Sequence, residues 1–100
     1  MKFFLFSNDE DTLVGMRLAG IEGKYVTEKE ELISALEEAI RRRDIGIVLI
    51  NASLASIIEK ELIEFKKISK ALIVEIPDKN GSSRSSGIAK YVRDAIGLRI

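Results

Sequence analysis

The six residues IGIVLI, at positions 45–50, constrain the fold more than any other part of the sequence. The run is apolar throughout and rich in β-branched side chains, so it predicts a strand with no face left for water. Such a strand lies in the middle of a sheet, because both of its faces must be covered by other elements. A single sheet with layers on both sides is therefore the expected architecture.

Three further apolar runs indicate strands: KFFLF at 2–6, GKYV at 23–26 and ALIVEI at 71–76. Stretches with helical spacing of apolar residues separate the four runs. Strands that alternate with helices pair in parallel, because each helix returns the chain to the same end of the sheet. The sequence predicts an α/β fold with a four-stranded parallel sheet and helices on both faces, an architecture of the Rossmann-like or receiver-like kind.

The most regular helical pattern follows the second strand. Thr27 and Glu30 have the spacing of a capping box, which predicts that Thr27 begins this helix. Glutamates crowd the first turn and arginines the last, which suits the helix dipole. The apolar residues of one stripe are expected to face the sheet: Leu32, Ile33, Leu36, Ala39 and Ile40.

The end of this helix carries three arginines in a row, at 41–43. Glu37 with Arg41 and Glu38 with Arg42 are spaced to pair one turn apart. A basic patch for a ligand is one interpretation of the arginines. A solvated helix carboxyl end is the interpretation that we prefer.

The first and third helices are expected over residues 9–19 and after Asn51 or Ser53. The inward residues of the first should be Leu13, Val14, Leu18 and Ala19, with Gly20 as its left-handed stop. Those of the third should be Leu54, Ile57, Ile58, Leu62 and Phe65.

The acidic turn after the first strand, FSNDED, has two interpretations. Asp9, Glu10 and Asp11 could hold a Mg²⁺ ion beside a phospho-acceptor carboxylate. Alternatively, Ser7 and Glu10 form a capping box, and the acids sit where a helix amino end favours negative charge. We favour the cap, because no other residue completes a metal site.

The composition of the chain excludes several common catalytic mechanisms. The chain has no Cys and no His, so thiol chemistry, disulfides and the commonest general base and metal ligand are excluded. Its net charge is zero, with 16 basic and 16 acidic residues, so no overall field attracts nucleic acid or an anionic membrane. The apolar runs are too short to span a bilayer, and a cytoplasmic protein is expected.

The sequence lacks individual residues that known phosphate-binding and nucleotide-binding sites require. A phosphorylatable receiver domain needs an acceptor Asp at the end of the third strand, where this chain has Asn51. Gly15 and Gly20 have P-loop spacing, but Ile21 and Glu22 follow them instead of Lys and Ser or Thr. The sequence therefore predicts no catalytic residue, no cofactor and no metal site.

The last quarter of the chain departs from the alternating pattern. Residues 1–76 form the expected α/β domain, 77–86 a flexible loop rich in serine, and 87–100 an amphipathic helix. Tyr91 in this tethered helix either packs within the chain or anchors it in a groove of another protein. Arg84 in the loop could bind an anion or a carboxylate of a partner.

Several segments, in order and spacing, resemble a known family. They are FFLFSNDEDT, GMRLAGI at 15–21, DIGIVLIN at 44–51, IVEIPDKNG at 73–81 and the closing SSGIAKYVRDAIGLRI. Over essentially its full length, the chain is similar to the F subunit of the V-type and archaeal A-type rotary ATPases and ATP synthases.

This resemblance implies a non-catalytic subunit of the central rotor shaft, or central stalk. It implies that the carboxyl-terminal helix binds the D subunit of the stalk, that the pair turns inside the ring of catalytic A and B subunits, and that the chain helps couple or regulate ATP turnover. No nucleic acid and no direct membrane insertion are implied; the protein would be peripheral on the membrane, on the cytoplasmic side. Carried over by position, the partner-binding residues are Arg84, Ile88, Lys90, Tyr91, Val92, Arg93, Ala95 and Ile96.

Two other classes stay open at the level of sequence. A receiver-like module without phosphotransfer would bind a signalling partner around Asn51. A small enzyme would use Asp9, Glu10 and Asp11 with Mg²⁺.

Overall fold

A computed structural model describes residues 1–78 of the protein. The four strands are β1 (Lys2–Ser7), β2 (Glu22–Tyr25), β3 (Ile45–Asn51) and β4 (Leu72–Ile76). The helices are α1 (Glu10–Leu18), α2 (Lys29–Arg41), α3 (Ala52–Ile57) and α4 (Glu59–Ile68).

The strands form one parallel sheet in the order β2-β1-β3-β4. β3 is central, as its apolar sequence predicts, and six of its seven residues are buried. In register, Leu49 of β3 lies between Leu5 of β1 and Val74 of β4. The predicted four-stranded parallel sheet is confirmed.

Helices cover both faces of the sheet, which confirms the predicted layers. On one face, α1 is the only helix among residues 1–78 that contributes to the smaller core, with Leu13. α2, α3 and α4 share the larger core on the other face. Because neighbouring strand residues point to opposite faces, Leu5 belongs to the smaller core and Phe6 to the larger.

α1, α2 and α3 follow the carboxyl ends of β1, β2 and β3, so their amino ends lie at one edge of the sheet. Acidic residues occupy the first turns of α1, α2 and α4, and basic residues occupy their last turns. These three helices therefore place charge where their own dipoles favour it.

The predicted inward side of α1 is mostly wrong. Leu13 is buried and Met16 is partly buried, but Val14 is 53% and Leu18 is 85% exposed. Ala19 is exposed too. A helix of only nine residues contacts the sheet through little more than one pair of side chains three positions apart. In α1 this pair is Leu13 and Met16. The expected stop is confirmed: Gly20 has φ +91°, and its N–H donates to Arg17 O at 2.9 Å.

The inward stripe of α2 is confirmed, but its predicted capping box is wrong. The helix begins at Lys29, and its N-cap is Glu28, whose side chain makes no capping hydrogen bond. The reason lies upstream: Val26 is fully buried, and its N–H donates to Ser7 O at 2.9 Å. This bond holds the chain extended past β2, so Thr27 comes too early to open the helix.

The third predicted helix is two helices, α3 and α4, separated at Ile58. Ile58 has φ −119° and ψ 36°, outside the helical region, and its side chain is fully buried. The break turns Ile57 away from the core, where it was expected, and leaves it 40% exposed. Leu54, Leu62 and Phe65 are buried as predicted.

Gly23 permits the close packing of α1 on the sheet. A Cβ atom at this position would lie 2.5 Å from Leu13 Cδ2 and 2.8 Å from the Leu5 carbonyl oxygen. The second contact is with backbone, which cannot move aside as a side chain can. Any larger residue must therefore push α1 or β1 away.

We expect Gly23→Ala to lower the free energy of unfolding by about 1–3 kcal/mol, because it overpacks this contact. Gly15→Ala is the matched control, since a Cβ atom there meets nothing within 4 Å and Gly15 lies inside α1. The control should stabilise the protein by about 0.5–1 kcal/mol. Urea unfolding of the full chain measures both, and equal effects of the two substitutions would contradict the packing argument.

Candidate functional site

Polar residues from three strands meet at the carboxyl edge of the sheet, where α/β proteins bind ligands. Ser7 ends β1, Asn51 ends β3, and Asp78 follows β4. Asn8 and Ser53 join them. We call Asn8, Asn51, Ser53 and Asp78 the edge cluster.

Asn51 is the hub of the edge cluster. Its side chain is almost fully buried, with 3% exposure. Its Nδ2 donates to Asp78 Oδ1 at 2.7 Å, to Asn8 Oδ1 at 2.9 Å and to Ser53 Oγ at 3.0 Å. Its Oδ1 accepts the backbone N–H of Asn8 at 3.2 Å. One amide thus joins the ends of β1, β3 and β4.

Asp78 is held from two directions. Besides Asn51, the backbone N–H of Ser53 donates to Asp78 Oδ1 at 2.9 Å. Burial draws the pKa of Asp78 upward, but these hydrogen bonds to its carboxylate outweigh burial and leave the pKa below its ordinary value. The edge cluster therefore favours the ionised form of Asp78.

The acidic turn is a helix cap, although the predicted capping residue is wrong. Asp9 is the N-cap of α1: its Oδ2 accepts Thr12 N at 3.2 Å and Thr12 Oγ1 at 2.5 Å. Ser7 cannot play that part because it is a fully buried strand residue. Its Oγ instead accepts the N–H of Asp9 at 3.0 Å and so positions the cap.

The carboxylates of this turn do not assemble a metal centre. Within residues 1–78, no group of three or more His, Cys, Asp or Glu side chains is placed to hold a metal ion. The carboxylate of Asp9 accepts a hydrogen bond from Thr12, and that of Asp78 accepts hydrogen bonds from Asn51 and Ser53. A Mg²⁺ site built on Asp9, Glu10 and Asp11 finds no support in this arrangement.

Asn51 lies at the strand end where a phosphorylatable receiver domain carries its acceptor Asp. At the position of a phospho-acceptor, its amide donates to Asp78 and Asn8 instead of offering a nucleophilic carboxylate. Every buried polar side-chain atom among the described residues has a hydrogen-bond partner. The polar side chains of the edge cluster are therefore hydrogen-bonded to one another.

The predicted parallel sheet implies that these strand ends share one edge, but the sequence did not predict the hydrogen bonds between them. The missed residues are Asn8 and Asp78. A signal for Asp78 exists, since an acid two residues after the last strand can reach the carboxamide that ends the neighbouring strand. Nothing in the local pattern of Asn8 distinguishes it from a turn residue.

The residues predicted to bind partners lie outside the described part of the chain: Arg84, Ile88, Lys90, Tyr91, Val92, Arg93, Ala95 and Ile96. The predicted loop at 77–86, beyond Asp78, and the helix at 87–100 also lie there.

Comparison with known proteins gives consistent results along the chain. A model of the ATP synthase (F/14-kDa) subunit family matches residues 7–96. The F subunit of the A-type ATP synthase of Thermococcus kodakarensis is 37% identical over 98 residues, covering 92% of this chain and 91% of the relative. That of Methanocaldococcus jannaschii is 37% identical over 92 residues, covering 90% of each. That of Pyrococcus abyssi is 35% identical over 98 residues, covering 92% of this chain and 91% of the relative.

Fold and comparisons together define a small α/β subunit of a rotary ATPase. The chain belongs to the ATP synthase (F/14-kDa) subunit family. As such it is part of a membrane-associated complex and is not an enzyme by itself. Among residues 1–78, no helix has both the length and the apolar character needed to span a bilayer.

The hub role of Asn51 predicts a strong effect of Asn51→Asp. The new carboxylate would face Asp78 and the Asn8 carbonyl oxygen with no proton to donate. We expect the free energy of unfolding at pH 7 to fall by about 3 kcal/mol, measured by urea unfolding. Adding Asp78→Asn reverses donor and acceptor and should recover about half of the loss. A double variant no more stable than Asn51→Asp would contradict this assignment.

Asp78 should contribute a pH-dependent stability. Because its folded pKa is lowered, the contribution is present above the ordinary pKa and is lost as the pH falls through the folded value. The protein should exceed Asp78→Asn in stability by about 1 kcal/mol at neutral pH. This gap should close as the pH falls below the ordinary pKa of an aspartate and through the lowered pKa of folded Asp78.

Urea unfolding at several pH values measures the gap between the protein and Asp78→Asn. Glu75→Gln, at an exposed position of β4, controls for the loss of one carboxylate. A gap for Asp78→Asn that stays constant with pH would show that the charge of Asp78 contributes nothing.

Proposed function

We propose that the chain is a non-catalytic central-stalk subunit that binds the D subunit of the stalk through its carboxyl-terminal segment and helps couple or regulate ATP turnover and ion transport. One observation carries most weight. At the sheet edge where an α/β domain would hold a substrate, Asn8, Asn51, Ser53 and Asp78 are hydrogen-bonded to one another. Polar side chains that already bind one another suit a scaffold that presents another part of the chain.

The partner contacts in this proposal come from one stripe of the segment 87–97. Ile88, Val92, Ala95 and Ile96 would be buried against the D subunit, with Tyr91 as the aromatic anchor. Arg84, Lys90 and Arg93 would supply flanking charges. Apolar burial contributes about 25 cal/mol per Å², less the entropy of ordering the segment, so a short helix of this kind gains most from a partner.

The edge cluster supports this proposal through its position in the chain. Asp78 is fixed to Asn51 and to the backbone of Ser53, directly ahead of the proposed tether. The tether therefore starts from a defined point over β3. A rigid starting point limits where a partner-binding segment can reach, which lowers the entropy cost of binding.

The proposal also includes contacts with the other subunits of the complex. The chain would turn with the D subunit inside the ring of A and B subunits, which carry out the ATP chemistry. It would be held on the cytoplasmic side of the membrane by these partners, without inserting into the bilayer.

Tyr91→Ala tests the proposed anchor. We expect the dissociation constant for the purified D subunit to rise about 30-fold, since a buried interface aromatic contributes about 2 kcal/mol or more. Tyr25→Ala is the matched control, because Tyr25 is the other tyrosine of the chain and is half exposed on the edge strand β2. Deletion of 87–100 should abolish binding. A deleted chain that unfolds in urea like the full chain and keeps its affinity for the D subunit would refute the proposal.

A further inference from the structure

A recess of about 600 Å³ opens at the amino edge of the sheet, opposite the edge cluster. It lies where the chain enters β3 and β4, and the carboxyl ends of α2 and α4 border it. The proposed contacts of residues 87–97 give this recess no role.

Four cationic side chains line the recess: Arg41, Arg42, Arg43 and Lys70. Arg42 is engaged within the domain. Its Nε and Nη2 donate to Asp44 Oδ1 and Oδ2 at 3.0 and 2.6 Å, and its guanidinium lies 6.0 Å from the centre of the Phe4 ring. These bonds replace the pairing with Glu38 expected from sequence, and they lower the pKa of Asp44. Within residues 1–78, Arg41, Arg43 and Lys70 have no salt bridge.

The cations that line the recess outnumber the negative groups close to them. Asp44 offsets one of the four cations and is itself shared with Lys2, at 3.7 Å. Each helix carboxyl end carries about half a negative charge, so the ends of α2 and α4 offset about one more. Glu22 and Glu38 also act on Arg42, but Arg41, Arg43 and Lys70 have no carboxylate paired with them within residues 1–78.

The recess also has apolar walls. Ile45 and Ala71 are buried beneath it, and Ile40 is half-buried at its side. Ile68, the last residue of α4, is 69% exposed at the rim. Ile68 lies among three cations that have no salt bridge within residues 1–78, so the recess offers two kinds of contact, one apolar and one ionic.

We propose that the recess docks an acidic segment of another subunit of the ATP synthase, which pairs its carboxylates with Arg41, Arg43 and Lys70 and packs an apolar side chain against Ile68. The charge complementarity selects an acidic occupant. Membership of a multisubunit complex supplies chains that could provide it. This inference rests on the family and not on the proposed contacts of residues 87–97.

A small anion is a poorer occupant than a peptide. Phosphate sites commonly use backbone N–H groups at helix amino ends, whereas α2 and α4 turn their carbonyl ends toward the recess. Carboxylates carried on a chain can instead be spaced to meet cations around a wide opening. They also bring the apolar contact that phosphate lacks.

The first test measures binding of the full chain to ATP synthase purified without this subunit. Arg43→Glu/Lys70→Glu changes two cations that lie outside the helices. We expect its dissociation constant to be at least about tenfold higher at low salt, with the difference shrinking as salt is raised. Ile68→Ser tests the apolar contact and should weaken binding by a smaller factor.

The controls match each change elsewhere on the surface. Arg17→Glu/Lys24→Glu makes the same charge change at α1 and β2, and Leu18→Ser removes another exposed apolar side chain. Urea unfolding checks that every variant is folded. Recess variants that bind as tightly as these controls would overturn the proposal, whatever Tyr91→Ala does to the binding of the D subunit.

The second test identifies the occupant in the assembled wild-type complex. A zero-length carbodiimide reagent joins a lysine amine to a carboxyl group in contact with it. We expect mass spectrometry to find Lys70 joined to an Asp or Glu of a neighbouring subunit, whereas Lys24 is not joined. If Lys70 reacts with no other subunit, or if inorganic phosphate alone protects the recess, the acidic-segment proposal is wrong.

Discussion

Burial of β3 on both faces is the constraint on which the rest of the structure depends. Six of its seven residues are buried, so helices must cover both sides of the sheet. A chain that returns through a helix after each strand can only pair its strands in parallel. Parallel strands then bring all their carboxyl ends to one edge, which is why Asn8, Asn51 and Asp78 meet although they are far apart in sequence. The polar cluster is thus a consequence of an apolar strand.

The predictable part of this fold is the part set by strong patterns. The apolar runs located all four strands within a residue or two, and the stripe of α2 faces the sheet as its spacing predicts. Errors arose where tertiary contacts override local preference. The buried Val26 delays the start of α2, and the buried Ile58 divides one expected helix into two. In α1, too few turns contact the sheet for spacing alone to select Leu13 and Met16 over Val14 and Leu18.

The candidate site was predictable in location but not in chemistry. Position 51 could be recognised as a strand end without a phospho-acceptor. The sequence did not reveal that its amide would donate to Asn8 and Asp78, because those partners are 43 and 27 residues away. A carboxamide in place of a carboxylate removes the possible nucleophile, and its hydrogen bonds join the ends of the strands instead. Family membership agrees with this change, since the chemistry of the ATP synthase is not performed by this chain alone.

The common direction of the helices gives residues 1–78 an electrical orientation in addition to their net charge, which comes from 11 basic and 15 acidic residues. Acids fill the first turns of α1 and α2, while Arg17, Arg41, Lys66 and Lys67 fill the last turns of α1, α2 and α4. The carboxyl edge of the sheet is therefore the more negative end of the described domain, and the amino edge is the more positive. In the field of a charged partner, such a domain experiences a torque as well as a net force, so it turns as it docks. Assembly would then be guided in orientation as well as in distance, an advantage for a subunit that must enter a crowded complex the right way round.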